Sequence, residues 1–397
     1  MRRQVKLKDV CLDVTVGHVG PMADEYVDDG IPFLRSQNIL PFRLDDANLK
    51  FINEAFHKRL KKSALSPGDV VVVRTGYPGT ACVIPNRLPV ANCADLVVIR
   101  PSHEIDSHYL CCIFNSEWGK STVSGSLVGV AQQHFNIGVA KEMEFTLPPI
   151  GTQKRIASIL SAHDDLIENN TRRIKILEET AQSIFREWFV KMRLPGQEKG
   201  RMGKSQSGRL PRGWHIGTLE DAFVLQRGFD LSKAVRVSGN VPVISASGMS
   251  GAHDTAMVKG PGVVTGRSGS IGNVMFVWDD FWPLNTTLWI KEFRRSTPAH
   301  AYYLLRELDL ASFNCGAAVP MLNRNDIKGL PTILPSSGAL EAFDRQVMTL
   351  FTLKRTLDKQ NANLRTTRDF LLPKLISGEI PVDAADDAAA ELMEYAQ

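Results

Sequence analysis

Residues 152–190 carry a hydrophobic seam that only a partner helix can bury. From Ile156 the positions Leu160, His163, Ile167, Asn170, Ile174, Leu177, Ala181, Ile184 and Trp188 alternate in steps of four and three, and eight of these ten are apolar. A 3.5-residue period lays them along one narrow stripe of a helix, which is covered only when a second stripe packs on it. Pro148 and Pro149 precede the run, Thr152 is a fitting N-cap, and the next proline is Pro195. At about 1.5 Å per residue the predicted helix is about 60 Å long, the length of a spacer.

A partner stripe lies in the same chain. A shift of about 190 residues sets Leu350, Leu353, Leu357, Gln360, Leu364, Thr367 and Leu371 on the seam positions from Leu160 to Ala181. Polar Gln360 then falls where polar Asn170 falls. Buried polar seam residues cost stability and fix register, so Asn170 and Gln360 are expected to face each other, with His163 as a further register-setting position.

With 397 residues the chain is long enough for two or three cores, and 43% hydrophobic with 23% charged residues is an ordinary globular balance. No apolar run could span a bilayer, and no signal-peptide core follows the basic start, so a cytoplasmic location is expected. Six cysteines show neither metal spacing nor a disulfide framework. A net charge of +4 is, by itself, weak support for nucleic acid.

Two stretches share one plan. Residues 70–73, 81–84 and 96–99 read as strands and 107–116 as a short helix. Leu7-Lys8-Asp9 is echoed by Leu219-Glu220-Asp221, and Ile31-Pro32-Phe33-Leu34 by Val241-Pro242-Val243-Ile244. Arg74-Thr75-Gly76-Tyr77-Pro78-Gly79 is echoed by Arg267-Ser268-Gly269-Ser270-Ile271-Gly272, and Phe135-Asn136 by Leu322-Asn323. Preserved order implies a tandem duplication of globule plus helix. The expected organisation is a globule over 1–149, a long helix over 150–192, a basic flexible linker over 193–212, a second globule over 213–336, a second long helix over 337–380 and a frayed acidic tail over 381–397. The fold class is α+β: two similar mixed α/β domains separated by two long helices packed as an intramolecular antiparallel coiled coil.

No catalytic constellation is found. Gly203-Lys204-Ser205 ends like a phosphate loop, but Glu198 stands where its first glycine is required. Zinc ligands, a dinucleotide fingerprint and the Asn/Asp-Pro-Pro-aromatic segment of amino-methyltransferases are missing from the sequence, and no cofactor is expected. What remains is polar loop chemistry. Arg74 and Arg267 begin equivalent Arg-x-Gly-x-x-Gly turns, where glycine permits close backbone approach and arginine can fork onto phosphate or guanine. Their bland alternative is a solvated surface hairpin. Gln132, Gln133, His134 and Asn136 supply amides of the kind that read adenine edges, echoed by Asn323, Arg324 and Asn325, with turn chemistry as the equally open alternative. Arg35, Arg227 and Ser268 complete the candidate set.

Several phrases carry a resemblance: Leu147-Pro148-Pro149 followed by Gln153-x-x-Ile156, Phe185-Arg186-x-Trp188-Phe189, Leu210-Pro211-x-Gly213-Trp214, and the run 368–380 that opens Arg368-Asp369 and ends Gly378-Glu379-Ile380. Together with the globule–helix–globule–helix order, they make the chain resemble the specificity subunits of Type I restriction-modification systems. That resemblance implies two target recognition domains, each reading half of a split double-stranded DNA site. It also implies a non-catalytic subunit on which modification subunits, two of them expected, bind S-adenosylmethionine and methylate adenine, and which restriction/translocase subunits join. The second copy departs from the Leu-Pro-Pro-x-x-x-Gln phrase, reading Leu334-Pro335-Ser336-Ser337-Gly338-Ala339-Leu340. The rival class is a coiled-coil scaffold whose globules bind protein or another ligand; a self-sufficient nuclease or methyltransferase is the second rival.

Overall fold

In the computed structural model of the chain, residues 2–125, 135–195, 202–205, 208–385 and 387–388 are described. Met1–Thr171 with Asp358–Gln397 form one compact unit and Arg172–Leu357 a second. The long helices are Ile150–Phe185 and Ser337–Ser377, so each unit holds a stretch of both.

In the first unit the all-valine strand Val70–Val73 is buried on both sides, as a β-branched run without polar alternation requires. Val70 and Val72 join one core with Val97 and Ile99, while Val71 and Val73 join another with Leu96 and Val98. The antiparallel sheet runs Ala81–Val83, Val70–Val73, Leu96–Pro101, Cys11–Val16. A second sheet pairs Ile31–Leu34 in parallel with Ala91–Cys93. Arg3–Lys6 pairs with Glu144–Leu147, which delivers the chain to the first long helix.

The second unit repeats the four-stranded sheet strand for strand, while its second sheet has three strands against five. Its sheet runs Val274–Val277, Gly262–Gly266, Thr287–Phe293, Phe223–Arg227, with Val241–Ser245 parallel to Trp282–Pro283. His215–Thr218 pairs with Pro331–Leu334 as Arg3–Lys6 pairs with Glu144–Leu147. Even single bonds recur: Leu7 N–H donates to Met143 O at 2.9 Å, and Leu219 N–H to Leu330 O at 2.9 Å. The duplication inferred from short echoes is therefore a duplication of topology.

None of the ten seam positions of the first long helix is exposed, and Ile156, Leu160, Asn170, Ala181 and Trp188 are buried. The partner stripe needs correction. Gln360 and Leu353 are exposed, whereas Asn361 and Leu357 are buried and Lys354 is half-buried. The repeat offset is the 187 residues from Leu147 to Leu334, and the shift of about 190 lands three residues out of phase on the helix. Within the first unit Asp164 pairs with Arg368 at 2.5 Å and Thr171 Oγ1 accepts from Asn361 Nδ2 at 3.4 Å. One heptad forward on one helix is one heptad back on the other, which is antiparallel register. In the second unit Lys354 meets Glu178 at 3.4 Å. Asn170 is buried as expected, but Asn361 and not Gln360 supplies the polar seam residue of the second helix. His163 uses Nδ1–H to bond its own helix at Ile159 O, 2.8 Å.

Three further expectations are corrected. The first long helix begins at Ile150, so Thr152 lies inside it, and the helix closes in a π-helical turn, Arg186–Val190. The segment expected to be a flexible linker contains a hairpin, Met202–Ser205 against Gly208–Pro211, whose second strand is anchored where Leu210 enters a core with Trp214. The tail is not frayed from its start: Val382–Ala384 form a 3-10 turn, Asp383 pairs with Arg155, and Ala385 is buried in the first unit's core. Among the described residues no helix is long and apolar enough to cross a membrane.

The quoted helix phrases are core-building segments. In the second unit Phe189 stacks on Trp214 at 5.6 Å and packs edge-on against His300 at 4.6 Å and Phe343 at 5.0 Å. In the first unit Gln153 is buried: its Nε2 donates to Pro148 O and Glu104 O, and its Oε1 accepts from Asp106 N–H. Leu340, the corresponding residue of the second unit, is apolar and buried in the aromatic core, which accounts for the departure at that position.

Burial depresses the His300 imidazole to about 3. The unfolded chain takes this proton near pH 6.5, so the neutral core form contributes stability above that pH which is lost as pH falls toward 3, by up to about 1.4 kcal/mol per pH unit. His300→Phe should flatten the stability-against-pH curve between about pH 6.5 and 4, read by urea denaturation with tryptophan fluorescence. A slope equal to that of the unaltered chain would refute the assignment.

Candidate nucleic-acid interface

Each unit presents one Arg-x-Gly-x-x-Gly turn between two sheet strands, Val70–Val73 to Ala81–Val83 and Gly262–Gly266 to Val274–Val277. All four glycines take positive φ: Gly76 at 86°, Gly79 at 90°, Gly269 at 84° and Gly272 at 77°. Side chains strain that conformation, which explains the residue type. A Cβ placed on Gly76 or Gly269 would meet nothing within 4 Å, so both tips stand open. Tyr77, at one tip, is 84% exposed. Its signal in the sequence is a bare aromatic directly after Gly76.

A second loop is clipped to each turn. Phe135 N–H donates to Arg74 O at 3.3 Å, and Leu322 N–H to Arg267 O at 2.8 Å. The residue after each clip caps a short helix: Asn136 Oδ1 accepts from Gly138 N–H at 2.8 Å and Asn323 Oδ1 from Asn325 N–H at 3.0 Å. These oxygens are thus engaged in turn chemistry. Asn325 is exposed, Ser268 bridges to Met321 beside the clip, and Arg35 serves its own loop by donating to Asn48 O at 2.7 Å. Gln132, Gln133 and His134 lie outside the described residues.

The two arginines differ in their surroundings. Arg74 is largely buried; its Nη1 meets Asp95 Oδ1 at 2.6 Å and its Nε donates to Phe135 O at 3.0 Å. Thr75 Oγ1 donates to the other Asp95 oxygen at 3.3 Å. Arg267 instead donates to a carbonyl, Asn285 O at 3.2 Å, and opens onto a cleft of about 910 Å³ that also gathers Arg227, Asp230, Lys291, Asn323 and Arg324. Four expected residues of the second unit therefore share one cleft. Sequence reading missed Asp95 and Lys291, because nothing in their local spacing points at the turn.

Elsewhere burial pushes the Cys82 thiol up to about 12, marking a packing residue and not a nucleophile. Among the described residues no three His, Cys, Asp or Glu side chains gather as metal ligands would.

Residues 4–179 match a family model described as the Type I restriction modification DNA specificity domain. The chain is 26% identical over 309 residues to the Type I restriction enzyme MjaIX specificity subunit of Methanocaldococcus jannaschii, covering 72% of each chain. In fold it is similar to the crystal structure of a Type-I restriction-modification system S subunit from M. genitalium, with a TM-score of 0.61 at 16% identity, over 95% of this chain and 96% of that one.

Removing the Arg74 side chain should leave Asp95 partly buried without its counter-ion. Arg74→Ala is expected to destabilise the first unit by about 1–3 kcal/mol, and Arg74→Ala combined with Asp95→Ala by less than the sum of the two single changes. Denaturation of the four-member cycle measures the coupling; strict additivity would show that the pair does not hold the turn.

Proposed function

We infer that this chain is a specificity subunit of a type I restriction-modification system. It recognises DNA sequence, and the chemistry that follows belongs to partner subunits. Carrying this reading is the exact repeat of the turn and its clipped loop on the same sheet, since a bipartite double-stranded target calls for two readers of one design. Loops on a rigid sheet are suited to presenting side chains to base edges, and each good contact discriminates by about 1–3 kcal/mol.

The finer assignments follow from the same reading. Residues of the clipped loops, Gln132, Gln133, His134 and Asn136 in the first target recognition domain and Asn323, Arg324 and Asn325 in the second, face the half-sites, and the turn tips with Tyr77 and Ser268 lie beside them. Modification subunits, two per chain, methylate adenine in the site, and restriction/translocase subunits complete the assembly. The long helices act as the ruler: 36 residues from Ile150 to Phe185 at about 1.5 Å each exceed the ~34 Å between half-sites one turn apart.

Methylome sequencing of a host expressing this chain with its modification partner should return one motif with two specified halves around an unspecified spacer. Asn325→Ala should relax one half only. A contiguous motif, or a change in both halves, would overturn the assignment.

Inserting four residues, about one turn, after Asn170 and another four at the facing position near Asn361 should lengthen the unspecified spacer while leaving both halves intact. The same methylome experiment reads the outcome, and an unaltered spacer would remove the ruler.

A further inference from the structure

The equivalence of the two units allows their charges to be compared place by place. Gly17 and Gly228 leave the sheet in the same way, donating to Leu96 O and Thr287 O, and the residues that follow bridge in parallel, His18 to Ala94 and Phe229 to Leu284. Val97 opposes Val16 as Leu288 opposes Arg227. Arg227 thus corresponds to Val16, Asn285 to Asp95 and Arg324 to Ile137, while Lys291 is the bulged residue that follows Ile290, the counterpart of Ile99.

In the first unit Arg74, the counterpart of Arg267, is neutralised by Asp95 at 2.6 Å, and Arg100, the residue after Ile99, by Asp13 at 2.6 Å. In the second, Arg227, Arg267, Lys291 and Arg324 line one cleft in which Asp230 is the sole carboxylate among the described lining residues. Asp230 stands 3.7 Å from Arg227 and also accepts from Asn285 Nδ2. Among the described residues Arg267 and Lys291 have no carboxylate partner. Two cations facing the same open cleft repel one another, a cost that a bound anion removes.

We propose that this cleft of the second unit seats a phosphodiester of the DNA backbone on Arg267 and Lys291, and that the corresponding place in the first unit does not. The two target recognition domains then divide affinity unequally: the second carries a backbone clamp, and the first relies on its open tip. This proposal rests on the DNA-reading role inferred above.

The test uses the full chain with its modification subunit and a duplex bearing the methylated motif, with affinity measured between about 50 and 200 mM salt. Arg267→Gln combined with Lys291→Gln should flatten the slope of log affinity against log salt by about 0.9, the value for one phosphate contact, and each single variant by part of it, without altering the motif. Asp95→Asn, which places the second unit's residue type in the first, should steepen it. Lys291 is exposed, so its variant keeps the test valid if Arg267→Gln fails to fold. Unchanged slopes in the Arg267 and Lys291 variants overturn the clamp, as does a changed second half-site, which would make the cleft a base reader. Failure of the unaltered complex to prefer its motif would instead overturn the DNA-reading role.

Discussion

An antiparallel helix seam with one permitted register underlies this structure. A stripe with a 3.5-residue period is useful only when matched, and here the match comes from the other end of the same chain. The first unit's core closes when Leu371 and Leu375 join Ile156 and Leu160, and the second unit's when Phe343 and Val347 join Ala181 and Phe185. Neither globule is complete without a helix segment distant in sequence, so a slip in the seam would open both cores. That is the physical reason for tolerating Asp164, Arg368, Asn170 and Asn361 along it. Burial raises the Asp164 carboxyl above its usual range against the opposing pull of Arg368, so this pair adds little net stability. Its geometry admits one register, and register is what the cores require.

On that frame the same backbone is used twice with different side chains. Bonds that define the sheet, the clipped loop and the left-handed glycines recur almost atom for atom, because they are conditions for the fold. Divergence reaches side chains that one unit uses and the other does without. Asp95 becomes Asn285, Val16 becomes Arg227, and the buried hydrogen-bonding Gln153 becomes the buried apolar Leu340. A chassis whose main-chain bonds fix the turn keeps its fold when the carboxylate of a charge pair is exchanged, Asp95 for Asn285, with the arginine retained as Arg74 and Arg267.

Much of this could be read from the chain before its structure. The valine run at Val70–Val73, the seam from Ile156 to Trp188, and the echo of Arg74 to Gly79 in Arg267 to Gly272 are local patterns, and local patterns survive folding. What escaped depends on relations between distant residues. A three-residue error in the repeat offset exchanged Asn361 for Gln360, since a helix turns about 100° per residue and three residues stop about 60° short of the same face. Asp95 lies 21 residues from Arg74, and only the sheet brings it there. The hairpin inside the basic linker was hidden for a similar reason: its glycines and cations describe a tether, and the pairing is anchored by Leu210 and Trp214 entering a core that the linker's own composition does not reveal.

The two arginines of the repeated turn differ in what holds them. Two identical readers would recognise the same half-site twice, and their affinities would rise or fall together with salt. Pairing one arginine with a carboxylate turns it into part of the scaffold, where it supports the turn through Phe135 O and Asp95. Leaving the other opposite a carbonyl keeps its charge available to a ligand. Asp95 and Asn285 occupy the same bend between strands, so an exchange of aspartate for asparagine there separates an arginine held by a carboxylate from one held by a main-chain carbonyl, while the fold stays fixed.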